Sequence, residues 1–125
     1  KFIINEIKSF FKLKKNKKNL KILILGASFK ENCKDIRNSQ IIKIYDNIKD
    51  KYKVEIFDPI VNSIEIYKKH RIRLSKKIKA NYYDYVLIAV GHTIFKKRYK
   101  YSIEKSVKKN GKINDLKFLF NNKYA

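Results

Sequence analysis

Apolar residues recur along this chain with two different periods. Near its start, Ile3, Ile4, Ile7, Phe10 and Phe11 fall three and four residues apart. That spacing predicts a helix over residues 2–13 with a single apolar stripe. Residues 14–19 are only Lys and Asn and read as a solvated connector. The pattern then becomes continuous. Leu20-Lys21-Ile22-Leu23-Ile24-Leu25 stops at Gly26, as a short buried strand does. Residues 27–38 are polar and irregular. Ser39 opens a second helix with Ile41, Ile42, Ile44, Tyr45 and Ile48 on one face. Residues 54–57 predict a strand halted by Asp58-Pro59. Asn62 and Glu65 have capping-box spacing, which predicts a helix to about His70. Residues 71–74 predict a short third strand. A stronger one over 85–90 ends at Gly91-His92. A short helix over 102–109, a last strand over 112–116 and a tail of helix or coil complete the reading.

Strands alternating with helices call for an α/β domain with a mainly parallel sheet. Right-handed crossovers make a Rossmann-like, doubly wound sheet with helices on both faces the natural closure. The change of period at residue 20 divides the chain into a helical lead-in over 1–19 and a domain over 20–125. In such sheets ligands lie beyond the carboxyl ends of the strands. Segments 27–39, 91–96 and 115–118 fall there.

Composition refines this picture. The 125 residues suffice for one core, and 44% are hydrophobic. The formal net charge of +21 points to a polyanion partner. However, 28 Lys stand against 4 Arg, and base-edge or bidentate phosphate recognition favours the arginine fork. Lys, Ile and Asn make up about half of the chain, as AT-rich codons alone would give. The charge therefore predicts at most non-specific, salt-sensitive nucleic-acid binding. The nine Tyr and eight Phe fall mostly at core spacings. One cysteine, Cys33, has no internal disulfide partner, which fits a reducing compartment. No apolar run approaches the roughly 20 residues a membrane span needs. His70, His92 and Cys33 lack metal-ligand spacing, so no metal is expected. The first residue is Lys1, not Met, so the chain reads as part of something longer or as one whose start was removed.

The chemistry gathers after the first strand, in Gly26-Ala27-Ser28-Phe29-Lys30-Glu31-Asn32-Cys33-Lys34-Asp35-Ile36-Arg37-Asn38-Ser39. One glycine cannot wrap a pyrophosphate as a GxGxxG turn does. Side chains are offered instead: the Phe29 ring, the Lys30 and Arg37 cations, and Asp35 placed to hold Arg37 by a charge-assisted pair. Asn38 or Ser39 is expected to cap the next helix, whose N-terminus favours an anion. Base, phosphate and helix end together describe a nucleotide site. The alternative is a solvated loop with Phe29 tucked into the core.

This stretch resembles the F-K-x-x-x-x-D-x-R-x-S signature of the UDP-binding domain of the UDP-glucose/GDP-mannose dehydrogenase family. The resemblance extends over most of the chain through Gly26, Phe57-Asp58-Pro59, Ala89-Val90-Gly91-His92, and Asp115 with Lys117. It implies that Phe29 and Lys30 contact the UDP part of a UDP-sugar. It also implies that Lys117, often Arg in the family, contacts substrate, and that Arg37 reaches NAD. Residues 1–19 then resemble the end of the family's inter-domain linker. The wording around Glu31-Asn32-Cys33 is most similar to members that oxidise UDP-N-acetylhexosamines for surface polysaccharides. The family pattern implies a cytoplasmic homo-oligomer in which an N-terminal portion supplies the NAD fold, the catalytic cysteine and the base. That cysteine sits in a G-G-x-C setting, so Cys33 is read as a loop filler and no catalytic residue is assigned here. His92 is expected to be structural or a hinge, and His70 to favour a helix end. The alternatives are a Lys-driven nucleic-acid-binding module and a gene remnant without function.

Overall fold

The computed structural model describes residues 2–13, 19–117 and 119–120. The connector over 14–18 and most of the tail lie outside the described residues. Strands β1 (Lys21–Leu25), β2 (Lys53–Phe57), β3 (Tyr83–Ile88) and β4 (Val107–Asp115) pair in parallel throughout, in the order β2-β1-β3-β4. Helices α1 (Phe2–Lys12), α2 (Gln40–Ile48) and α3 (Ser63–His70) cover one face. Helices α4 (Thr93–Lys97) and α5 (Lys100–Ser106) cover the other. Alternate strand residues serve the two cores. Ile22, Ile24 and Leu87 meet Ile7, Phe11, Ile42 and Ile66. Leu23, Leu25 and Ile88 meet Phe95 and Ile103. A parallel sheet buried on both faces needs such continuous apolar strands, and the expected doubly wound α/β fold is what forms.

Three expectations fail locally. Residues 71–74 form no strand. Arg71 caps α3 in the left-handed region (φ 59°) and spends its N–H on Tyr67 O. Ile72 and Leu74 then turn into the core. The segment beyond is tied by side chains, with Tyr83 OH donating to Glu55 at 2.7 Å and Lys79 Nζ at 2.7 Å from the same carboxylate.

The helix expected over 102–109 stops at Ser106. The Lys105 and Ser106 carbonyls accept from Asn81 and Tyr82, so the chain extends at Val107. β4 begins there rather than at 112. It bulges so that residues 108–111 stand opposite Asp84 alone. Finally, β3 ends at Ile88 because Ala89 and Val90 both donate to Leu25 O and leave the ladder.

Candidate functional site

β1 has neighbours on both sides, and the chain leaves its carboxyl end in one direction and β3's in another. That switch point is where open α/β sheets place ligands. Gly26 makes the exit possible. It holds φ +101°, and a Cβ there would lie 2.5 Å from Val90 Cβ. The loop then folds back on itself: Phe29 N–H donates to Asp35 O at 2.7 Å and the Ser28 hydroxyl to Lys30 O at 2.8 Å.

A cleft of about 190 Å³ opens beside this turn. Phe29, Lys30 and Lys117 all line it, together with Glu31, Asn38 and Gln40. The Phe29 ring is not tucked into the core; the residue is 57% exposed. Lys117 reaches the cleft because the chain beyond β4 passes over Gly91, where an added Cβ would come 3.3 Å from Lys117 Cβ. The floor is Ile41, Ala89 and Val90. Two ammonium groups thus flank an apolar floor beside an aromatic ring, with one carboxylate among them and the N-terminus of α2 at the margin.

Arg37 stands apart. It lies on a neighbouring groove with Ile42, Lys43, Asp46 and His70, and only Asn38 lines both. Its Nε and Nη2 hold both oxygens of Asp35 (3.0 and 2.8 Å). The hydrogen bonds from the Arg37 side chain, and then from its backbone N–H, bring the Asp35 carboxyl down to about 2. The expected pair therefore forms, using one edge of a guanidinium whose side chain stays 78% exposed.

Ser39 occupies the N-cap position of α2 but does not cap it. Its buried hydroxyl donates to Ala27 O at 2.8 Å, stitching the two ends of the loop together. Asn38 takes the left-handed conformation (φ 58°), and the cap expected of either side chain is absent. Cys33 is half-buried and its Sγ accepts from Asp35 N–H. Asp115 is buried and accepts from the Leu119 and Phe120 N–H groups. Among the described residues no three His, Cys, Asp or Glu side chains gather as a metal site.

Sequence reading missed the support beneath the loop. Asp58 and His92 are both buried, and Asp58 Oδ2 lies 2.9 Å from His92 Nε2. Asp58 also accepts from the N–H groups of Ala27, Ile60 and Val61. Burial pushes its carboxyl up, but the bonds from His92 and these N–H groups outweigh that and hold it below the usual range. The sequence did carry a signal: Asp58 directly follows β2, and His92 stands in the loop between β3 and α4. That they meet requires knowing that β2 and β3 flank β1.

A sequence model of the UDP-glucose/GDP-mannose dehydrogenase family, UDP binding domain, matches residues 23–122. The UDP-N-acetyl-D-glucosamine 6-dehydrogenase of Salmonella typhi is 38% identical over 114 residues, which cover 90% of this chain. The chain spans about a quarter (27%) of that relative's length. Two solved structures share the fold. The UDP-N-acetyl-mannosamine dehydrogenase of Staphylococcus aureus superposes with a TM-score of 0.71 at 21% identity, over 94% of this chain and 26% of that one. The UDP-D-ManNAc dehydrogenase of Pyrococcus horikoshii does so with 0.66 at 26%, over 90% and 25%. A family match over most of the length, on a fold that two solved structures share, means that this chain belongs to the UDP-glucose/GDP-mannose dehydrogenase family and corresponds to its UDP binding domain.

Proposed function

We propose that the cleft holds the UDP part of a UDP-sugar. The observation that carries this reading is that Lys117, distant in sequence, lines one cleft with the adjacent Phe29 and Lys30 beside the N-terminus of α2. The exposed Phe29 ring offers a face for the base. Lys30 and Lys117 neutralise phosphate charge, and the helix end adds partial positive charge. Lys117 supplies charge without the fork an Arg would bring.

The whole protein, in this reading, is a cytoplasmic NAD-dependent dehydrogenase that takes the C6 alcohol of a UDP-N-acetylhexosamine to a carboxylate for surface-polysaccharide synthesis. NAD, when bound, accepts hydride, and alcohol to carboxylate releases two. Arg37 is this chain's contact to it, because the guanidinium is fixed by Asp35 yet remains open on a separate groove. The dinucleotide fold, the nucleophile and the base come from the rest of the protein. Phe2 on α1 and Leu13 just past its end stand exposed, which suits cover by that portion or by a second copy in a homo-oligomer.

Calorimetric titration with UDP, UMP and uridine tests the cleft. Lys30→Ala should weaken UDP about tenfold, the worth of one charge-assisted contact, and leave uridine nearly unchanged. Equal losses for UDP and uridine would remove Lys30 from the phosphates.

A further inference from the structure

We infer that Asn32, His92 and Asp58 form a positioning device that grips the ligand loop on both sides of its Phe29-Lys30 tip, and that His92 performs this role as the neutral Nε2–H tautomer. The inference rests on the cleft reading above and adds residues to it that do not line the cleft.

The tautomer follows from the partners. Asn32 N–H lies 2.8 Å from His92 Nδ1, and a backbone N–H can only donate. Nδ1 therefore carries the lone pair, and the ring proton sits on Nε2, facing Asp58 Oδ2 at 2.9 Å. The imidazole is completely buried, so neither bond has water as a substitute. Ser28 Oγ, at 3.5 Å from the same Nε2, is a weaker third neighbour. Because Ser28 and Asp58 share one nitrogen, the set cannot act as a nucleophile–base–acid relay, which needs both ring nitrogens in series.

The grip has two ends. Asp58 Oδ2 accepts from Ala27 N–H at 2.8 Å, before the tip. His92 Nδ1 takes Asn32 N–H, after it. Asn32 sits in the left-handed region at φ 58°, and its side chain doubles the second grip. Its Oδ1 accepts from Thr93 N–H at 2.9 Å and its Nδ2 donates to Thr93 Oγ at 3.0 Å. Between the anchors only Phe29, Lys30 and Glu31 reach into solvent. The preceding residue, Gly91, carries Lys117 against its Cα. One buried turn therefore sets the spacing between the two cationic walls of the cleft.

The two amide side chains separate the bonds. In His92→Gln the amide nitrogen can replace Nε2 and keep Asp58 satisfied, but Asn32 N–H loses its acceptor. In His92→Asn the amide oxygen falls where Nδ1 was and keeps that acceptor. UDP affinity should fall about five- to tenfold in the Gln variant, the worth of one neutral hydrogen bond, and recover most of that loss in the Asn variant. Thr93→Val, on an exposed residue, should give a smaller loss with unchanged thermal stability. In the unaltered chain, ¹⁵N shifts should show an unprotonated Nδ1 and a protonated Nε2. Amide exchange should be slow at Asn32 and faster in the Gln variant. The opposite tautomer, an imidazolium, or unchanged Asn32 exchange in a folded Gln variant would each overturn the inference. Equal UDP affinity in the Gln, Asn and unaltered chains would do so too. Should the unaltered chain not bind UDP at all, the cleft reading fails, while the tautomer and the exchange rates still judge the grip.

Discussion

In the proposed site, single residues divide into those that would meet a ligand and those that fix them. Arg37 and Asp35 show both roles in one pair. Their contact is exposed, so it adds little to stability, but it sets where a guanidinium points. Asp35 is depressed to about 2, so the pair is complete at neutral pH and is lost only as the pH falls through that value. An NMR titration should find the Asp35 carboxyl midpoint at about 2, and in Arg37→Ala higher, part of the way back toward the ordinary carboxylate range, because the backbone N–H at position 37 still donates to it. A midpoint unmoved by that substitution would mean that Arg37 is not what holds the carboxylate. Gly26 is the opposite kind of residue, offering no side chain yet irreplaceable: its N–H donates to Phe57 O, and both its φ and the approach of Val90 exclude a Cβ.

At the level of elements, the two middle helices begin in contrasting ways. α3 is closed by its own sequence: Asn62 Oδ1 accepts from Ile64 and Glu65 N–H at 2.9 and 3.0 Å. Glu65 does not complete the capping box but pairs with Lys69 one turn on, at 3.4 Å. Asn62→Ala should cost about 1 kcal/mol, read as a lowered denaturant midpoint at unchanged slope. No measurable loss would show that the cap is redundant with the packing of Ile66. α2 has no such closure, because the Ser39 hydroxyl turns back to Ala27. Its first-turn N–H groups stay at the edge of the cleft, where an anion is favoured. The hydroxyl that would have capped the helix instead shapes the loop that brings Lys30 beside it.

At the scale of the molecule, the four parallel strands and five helices among the described residues bury two cores and gather the candidate site at one end of the sheet. Among the described residues no helix is long and apolar enough to cross a membrane. The charge of +21 is spread through 28 Lys, and only a few of these face the cleft. In the proposed reading this arrangement anchors an anionic ligand, and the reacting groups come from the rest of the protein. The purified chain should therefore form no NADH from UDP-sugars. Fused behind the N-terminal part of a relative, it should support turnover, and Arg37→Ala in that fusion should raise the NAD requirement. NADH formation by the chain alone would overturn this division of labour. An unaltered NAD dependence would take Arg37 out of the cofactor's reach.

The sequence by itself determined the fold class, because parallel strands buried on both faces must be written as continuous apolar runs, and Leu20 to Leu25 and Tyr85 to Val90 are such runs. It also made the candidate ligand loop legible, because Phe29, Lys30, Asp35 and Arg37 are close neighbours and their spacing is visible without a fold. Where strands end was decided by tertiary contacts. Ala89 and Val90 look like strand residues but bond to one carbonyl of β1, and residues 107–109 look helical but run alongside β3, with Val107 opposite Tyr83. The strand expected over 71–74 failed for the same reason, since a left-handed Arg71 and a buried Ile72 outweigh local propensity. The separation of Arg37 from the cleft, the arrival of Lys117, and the meeting of Asp58 with His92 all depend on strand order. Residues 34 positions apart share a hydrogen bond only because β1 lies between their strands. No local periodicity encodes that neighbourhood; it arises when the sheet assembles.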